Sequence, residues 1–399
     1  MGLYSPNILS TKPKPGHICI DECHNLIQLK KIENGHIDPV ASIENFLCYT
    51  DLRENYLSRS LYGAQLAVDI GVPTLARAAA IQGIPCFTIF DHSWSLTFKR
   101  ILSEHQMSLS TSDNSSFIIN NNFQRALKVL ESDEASTNGV FLFPSPLTSP
   151  DYWKYWAMLC GDQQVFNIEG TLGGPLDKND LKLFKRDART ILNLDQTDGT
   201  PVVLISAGGT PVWDQILVRL VKDYVGKEIS GKLAYYVFIF ASDKVREKIK
   251  EANIVLENMH NHPSKGRWVD IWPIAGCSKV HILGNTFGCT YQAIIAGVDL
   301  VVSRAGGATV NDSLACAVPM LLVPEPGHWQ IETIHKAAID GGYALSLPYN
   351  EFLKDPVYAL DDKIVPLRAF WKNIKQRIIE FPRGREIFVV KEILRKVRF

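Results

Sequence analysis

The sequence predicts an α/β protein of two doubly wound units. Three observations carry this. Short apolar runs alternate with amphipathic stretches of helical period over most of the chain. Several apolar runs lead straight into Gly-rich turns, the strand-to-helix connection of a parallel sheet. The 399 residues exceed one average core, at about 150 residues per domain.

Residues 41–60 (ASIENFLCYTDLRENYLSRS) place Ile43, Phe46, Leu47 and Leu57 on one face, which predicts a helix. QLAVDIG predicts a strand containing Asp69. PTLARAAAIQG follows as a helix with Pro73 near its start and Gly83 past its end. IPCFTIF is the next strand and runs into DHSW, completing a β-α-β unit. Residues 103–122 and 131–139 are polar and rich in Ser and Asn, and predict loops. PSPLTSPDYW and GTLGGPLDKND mark breaks. Alternation then restarts: strands at PVVLISAGG, LAYYVFIFAS, KVHILG, DLVVSRAGG and PMLLVPEPG, with helices at PVWDQILVRLVKDYV, VREKIKEANIVLENM, TYQAIIAG, TVNDSLACAV and QIETIHKAAIDGG. A basic amphipathic helix pair interrupted by FPRG ends the chain. The expected division is a first unit over 1–165, a linker over 166–196, a second unit over 197–366 and terminal helices over 367–399.

Composition excludes several classes. Hydrophobic residues make up 46% and charged residues 21%, ordinary globular values. Lys+Arg and Asp+Glu are both 42, so the net charge is zero and a nucleic-acid partner is not expected. No apolar run approaches the ~18 residues of a membrane span, and the N-terminus lacks the apolar centre of a signal peptide. A cytoplasmic location is the expectation. The eight cysteines form no paired CxxC motif. Cys19, Cys23 and His24 cluster, yet no second ligand pair follows at zinc spacing, so no metal site is expected.

Three strand ends carry candidate chemistry. At Ser206-Ala207-Gly208-Gly209-Thr210, glycines let a ligand approach the backbone, and the following helix N-terminus offers N–H groups to a diphosphate. A tight turn that simply needs glycine is the alternative. Ser303-Arg304-Ala305-Gly306-Gly307-Ala308-Thr309 repeats the arrangement, so both turns face one crevice at the strand C-termini. Asp312 reads as a first-turn residue, either stabilising the helix dipole or accepting the two hydroxyls of a ribose. Pro324-Glu325-Pro326-Gly327-His328-Trp329-Gln330, followed by Glu332, places His328, Gln330 and Glu332 near the same rim.

The stretch VVSRAGGATVNDSLACAVPMLLVPEPGHWQIETIHKAAIDGGYALSL resembles the donor-binding segment of GT-B glycosyltransferases, in particular the MurG-like group, glycosyltransferase family 28. The resemblance covers roughly 200–350, with weaker support from VDIGVPTLARAAAIQGIPCFTIFDHSW. It implies two Rossmann-like domains facing across a cleft. Residues 1–165 would be the acceptor side, either reduced at its N-terminus or lacking part of it in this chain, and 197–366 would hold a nucleotide-diphosphate sugar, UDP-linked by family bias. Gly208, Gly209 and Thr210 match the family's first diphosphate turn, and Gly306, Gly307 and Thr309 the second. Asp312 stands where the family has Glu on the ribose, one methylene shorter. Gln330 matches a donor-site Gln, His328 lies where phosphate or sugar is contacted, and Arg304 is a candidate cation.

The family's N-terminal Gly-His loop has a partial match in Gly35-His36-Ile37-Asp38-Pro39, with Gly16-His17 as a second candidate. His36 is therefore one candidate base. His92, oriented by Asp91, is the other, since a carboxylate-paired His removes a hydroxyl proton near neutral pH. No D-x-D stands at a strand end, so no metal and no cofactor are expected, and helix dipoles, Gly-turn amides and cations take the leaving-group charge. The expected activity is inverting, metal-independent glycosyl transfer to an acceptor hydroxyl. The alternatives are a nucleotide-sugar hydrolase or epimerase, and a non-catalytic nucleotide-sugar-binding subunit that needs a partner chain. The basic tail (Lys391, Arg395, Lys396, Arg398) reads as a solvated helix face, with peripheral membrane contact as the alternative.

Overall fold

The computed structural model describes residues 30–31, 37–38, 41, 46–47, 61–70, 74–90, 93–108, 114–145, 147–175, 178–194, 199–207, 213–257, 260–261, 268–287, 291–365 and 368–397. They fall into two compact units, one within 1–143, 148–168 and 388–399, the other within 144–147 and 169–387.

The first unit begins with a short antiparallel pair, β1 (Lys30–Lys31) and β2 (Ile37–Asp38). Within 41–60, Ala41, Phe46 and Leu47 are helical, and the rest of that expected helix lies outside the described residues. The main sheet holds β3 (Ala67–Ile70), β4 (Cys86–Phe90), β5 (Gly139–Ser145) and β6 (Val165–Glu169) in sequence order. The first two pairings are parallel. α1 (Thr74–Ile81) makes the predicted β-α-β crossover. Its small residues Ala76, Ala78 and Ala79 are fully buried.

The polar stretch expected as loops at 103–122 and 131–139 is mostly helix. α2 (Trp94–Ser108) runs into it, and α3 (Asn114–Ala135) fills most of the remainder. Composition misled because a few well-spaced apolar residues are enough to hold these helices. Phe98, Leu102, Phe123, Ala126, Leu127 and Leu130 are all buried, and that packing outweighs weak propensity.

The start of α2 depends on one carboxylate. Glu134 of α3 accepts from the N–H groups of Trp94 (2.7 Å) and Ser95 (3.3 Å), and from the hydroxyl of Ser93 (3.0 and 3.1 Å). The Ser95 hydroxyl also bonds it. α4 (Pro150–Cys160) has Ser149 as its N-cap and Pro150 at its first position, as its sequence dictates.

The linker expected over 166–196 is regular structure. β6 occupies its start, and α5 (Lys178–Ile191) lays Ala188, Ile191 and Leu192 into the second unit's core.

That unit holds β7 (Val202–Ser206), α6 (Asp214–Ile229), β8 (Tyr236–Phe240), α7 (Asp243–Glu251), β9 (His260–Asn261), β10 (Trp268–Pro273), β11 (Val280–Phe287), α8 (Tyr291–Gly297), β12 (Leu300–Ser303), α9 (Gly307–Ala315), β13 (Met320–Leu322), α10 (Trp329–Asp340), β14 (Ala344–Ser346), α11 (Tyr349–Lys354), α12 (Pro356–Ile364) and α13 (Arg368–Ile379). Its sheet order is β14-β13-β12-β7-β8-β11-β10-β9. The six strands from β14 to β11 are parallel. β10 and β9 add an antiparallel edge that the sequence pattern did not reveal. The helix expected at VREKIKEANIVLENM stops at Glu251. Asn253 turns at φ 59°, and Leu256 bridges Ile274. β7, β12 and β13 are buried along their whole length, which is why they read as unbroken apolar runs. The last helix, α14 (Glu386–Lys396), returns to the first unit. There Lys396 donates to the Gln163 carbonyl (2.9 Å) and to Gln164 Oε1 (2.7 Å).

Two buried carboxylates give testable energetics. Burial pushes the Glu134 carboxyl up from 4.5 to about 7, against the hydrogen bonds that hold it. A carboxyl raised in the folded state favours folding most when protonated. Stability is therefore greatest below pH 4.5 and declines as pH rises to about 7, by on the order of 3 kcal/mol. Urea titrations at several pH values should show this contribution as a decline in the native chain that is shallower, by about that amount, in Glu134→Gln. In the second unit, Arg304 pairs with Glu325, which is fully buried. Glu325→Ala removes the charge that offsets a buried guanidinium and should cost about 3–5 kcal/mol in the same assay.

Candidate functional site

The second unit's strand order reverses at one place. From β7 the chain proceeds outward through β8 to β11, and from β12 it proceeds the other way through β13 to β14. β7 and β12 are therefore neighbours from which the sheet grows in opposite directions, and in such sheets ligands bind outside the C-terminal ends of the two strands. The two ends are level, since Ser206 pairs with Ser303. These are the strands that the sequence assigned to the two Gly-rich turns.

Arg304 fixes the strand ends around this point. Its Nη1 donates to the Ala207 carbonyl just past β7 (3.3 Å), and its Nη2 bonds Glu325 just past β13. Its charge is thus matched by a structural carboxylate. Ala305 then turns in the left-handed region, φ 70°, a conformation that costs a non-glycine residue roughly 1 kcal/mol.

α9 begins at Gly307 behind an N-cap, Gly306, that has no side chain to satisfy the helix's first N–H groups. Gly306 has φ −66°, which any residue adopts. Among the described residues, a Cβ built on it meets nothing within 4 Å. Neither backbone conformation nor packing against the described residues calls for glycine here, so the missing side chain leaves the helix N-terminus uncovered on that side. Thr309 sits in the first turn of α9 and is buried. The Tyr291 phenol faces Ser206 and Thr309, and burial pushes it well up.

Asp312 is the sixth residue of α9, and no acidic residue lies in the first turn. The expected first-turn dipole role is therefore corrected: the helix starts earlier than the acid needs. Its Oδ1 accepts from Gln292 Nε2 (3.1 Å) and Asn311 Nδ2 (3.3 Å). Burial pushes its carboxyl up from 3.8 to about 6, against these two amides. Asn311 is buried, and its amide also clamps Leu172, accepting from the N–H (2.9 Å) and donating to the carbonyl (3.0 Å). Sequence reasoning missed Gln292, Asn311 and Glu325. The only trace of Gln292 was a polar residue opening the otherwise apolar helix AIIAG.

The third strand end leads through Gly327 to His328, the N-cap of α10. His328 is buried, Gln330 lies half-buried in the first turn, and Glu332 accepts from the Gly327 N–H (2.8 Å), which closes this loop. Gly208, Gly209 and Thr210 lie outside the described residues, as do Asp91, His92 and His36 among the candidate catalytic residues, and Cys19, Cys23 and His24. Among the described residues no cluster of His, Cys, Asp and Glu is arranged to hold a metal ion, and no helix is long and apolar enough to cross a membrane.

Comparison with known proteins agrees with this geometry. Residues 276–373 match the model of the glycosyltransferase family 28 C-terminal domain. A UDP-N-acetylglucosamine--N-acetylmuramyl-(pentapeptide) pyrophosphoryl-undecaprenol N-acetylglucosamine transferase from Caldanaerobacter subterraneus subsp. tengcongensis is 25% identical over 154 residues, covering 39% of this chain and 35% of the relative. The chain thus aligns with about a third of that relative's length. The glycosyltransferase of kitacinnamycin superimposes with a TM-score of 0.52 at 12% identity, covering 90% of this chain and 83% of the other. MurG of Acinetobacter baumannii does so with a TM-score of 0.42 at 15% identity, over 89% and 80%. The kitacinnamycin likeness extends over both units and shows the GT-B fold, two Rossmann-like domains. Within the second unit, residues 276–373, about a quarter of the chain, are thus similar to the C-terminal domain of glycosyltransferase family 28.

Proposed function

We propose that this protein is a glycosyltransferase that moves a sugar from a nucleotide-diphosphate sugar, preferably UDP-linked, to an acceptor hydroxyl with inversion and without a metal ion. One observation carries the reading: at the strand reversal, an α9 N-terminus without a side-chain cap lies behind Gly306, whose absent side chain leaves it uncovered on that side. A diphosphate suits that position, because N–H groups and the helix dipole both favour negative charge there. The preference for uridine is supported by the relative whose name begins with UDP-N-acetylglucosamine.

In this reading the diphosphate rests against the start of α9, near Gly307 and Thr309. Asp312 accepts a ribose hydroxyl, and His328 and Gln330 border the sugar. A base, for which His36 and His92 are the candidates, takes the acceptor proton. The acceptor oxygen then bonds the anomeric carbon as the bond to the diphosphate breaks, and the departing charge falls on the α9 amides, worth several kcal/mol in a water-excluded site. Arg304 contributes by holding the strand ends, its own charge being matched by Glu325.

Calorimetry with UDP-, TDP- and GDP-sugars in EDTA should find one nucleotide class that binds. Gly306→Val should weaken that binding at least ~10-fold while leaving the denaturation midpoint unchanged, since a Cβ there meets no described residue within 4 Å. Loss of both together would mean a packing role. Affinity should be full above pH 6 and fall as pH drops through it, because the ribose hydroxyl favours the carboxylate and the ligand-free Asp312 titrates at about 6. Asp312→Asn should flatten that dependence. Diphosphate release without acceptor would redirect the assignment to a hydrolase.

A further inference from the structure

We propose that Gln292 is a positioning residue for Asp312, fixing which carboxylate oxygen is offered to the ligand. The inference rests on the reading of Asp312 as the ribose acceptor. It starts from an asymmetry in the hydrogen bonds. Both amide donors converge on Oδ1, Gln292 Nε2 at 3.1 Å and Asn311 Nδ2 at 3.3 Å. Two donors fill the lone-pair sites of one carboxylate oxygen. Oδ2 has no hydrogen-bond partner among the described residues and is left to a ligand.

Both amides are themselves held. Asn311 exchanges two hydrogen bonds with the Leu172 backbone, which sets its oxygen and nitrogen unambiguously. Gly173, next in the chain, lies over the Gln292 amide: a Cβ there would sit 3.4 Å from both Nε2 and Oε1. The Gly173 N–H is tied in turn to Glu386 (2.9 Å). The Leu172–Gly173 turn thus keeps Gln292 pressed toward Asp312.

The two donors differ in what else they do. Asn311 also anchors Leu172, so its removal loosens backbone. Gln292 spends its Nε2 on Asp312, so its removal isolates the effect on the carboxylate. The ionisable groups facing Asp312 are the Tyr291 phenol from α8 and the Cys316 thiol just past α9, with Arg383 beyond the thiol. Burial pushes both the phenol and the thiol up, so neither carries charge near neutral pH. The amides are the groups that favour the Asp312 carboxylate against its burial.

The test uses the full chain with Gln292→Leu, which keeps the volume and removes the donor. The first readout needs no ligand: the Asp312 side-chain carboxyl carbon, followed by NMR against pH. Native protein should titrate near 6, and Gln292→Leu should titrate about one pH unit higher. An unchanged titration overturns the proposal. The second readout is UDP affinity against pH. Gln292→Leu should bind about five-fold more weakly at pH 6, where the carboxylate fraction differs most between the two proteins, and regain nearly native affinity at pH 9. A loss of equal size at every pH would assign Gln292 a packing role and overturn the positioning role. A shifted titration combined with native UDP affinity in Asp312→Asn would retain the amide clamp and sink the ribose reading instead.

Discussion

The site depends on the parallel pairing of β7 with β12. These two strands were laid down about a hundred residues apart, and they meet where the sheet reverses its direction of growth. Ser206 and Ser303 pair, so the two strands end side by side, and everything proposed for the ligand follows from that juxtaposition. Apolar burial brings the strands together, since every residue of both is buried. At about 1.5–3 kcal/mol for each large aliphatic side chain, burial outweighs the other forces that join them. Arg304 adds geometry to it, bonding to the ends of the strands on either side through Ala207 and Glu325.

Glu325, Glu134 and Asp312 are among the carboxylates that lie where charge is expensive, and each is handled differently. Glu325 is matched by a guanidinium, which suits a joint that must hold. Glu134 has backbone N–H groups and hydroxyls around it, and these only partly offset its burial, so its carboxyl stays high. Asp312 has two amides on one oxygen, is less deeply buried, and is raised to about 6. The first two join elements within a unit. The third combines partial desolvation with an oxygen left open, the combination that marks a group awaiting a ligand.

The core of the second unit was legible in the sequence because its central strands are buried on both faces and read as apolar runs. β9, β10 and β14 were not, since short or antiparallel edge strands carry a mixed pattern. α2 and α3 were hidden by polar composition, and what holds them is tertiary: Phe98 and Phe123 sink into the core while Glu134, from another helix, caps α2. The Gly-rich turn at Gly306 and the acid at Asp312 were visible as residue types. Their roles hinged on where α9 begins, and a boundary uncertain by a turn was enough to misplace Asp312 relative to the dipole. Gln292 was invisible for a different reason. It meets Asp312 from another helix, twenty positions away in sequence, and no local period encodes that contact.

The central claim is that a nucleoside diphosphate lies against the start of α9, and amide hydrogen exchange of the full chain with and without UDP tests it most directly. Slower exchange on adding UDP at the amides of residues 306–310, unsupported by any side-chain cap in the free protein, is the predicted result. Exchange there unchanged by saturating UDP, or protection confined to another part of the chain, would contradict it.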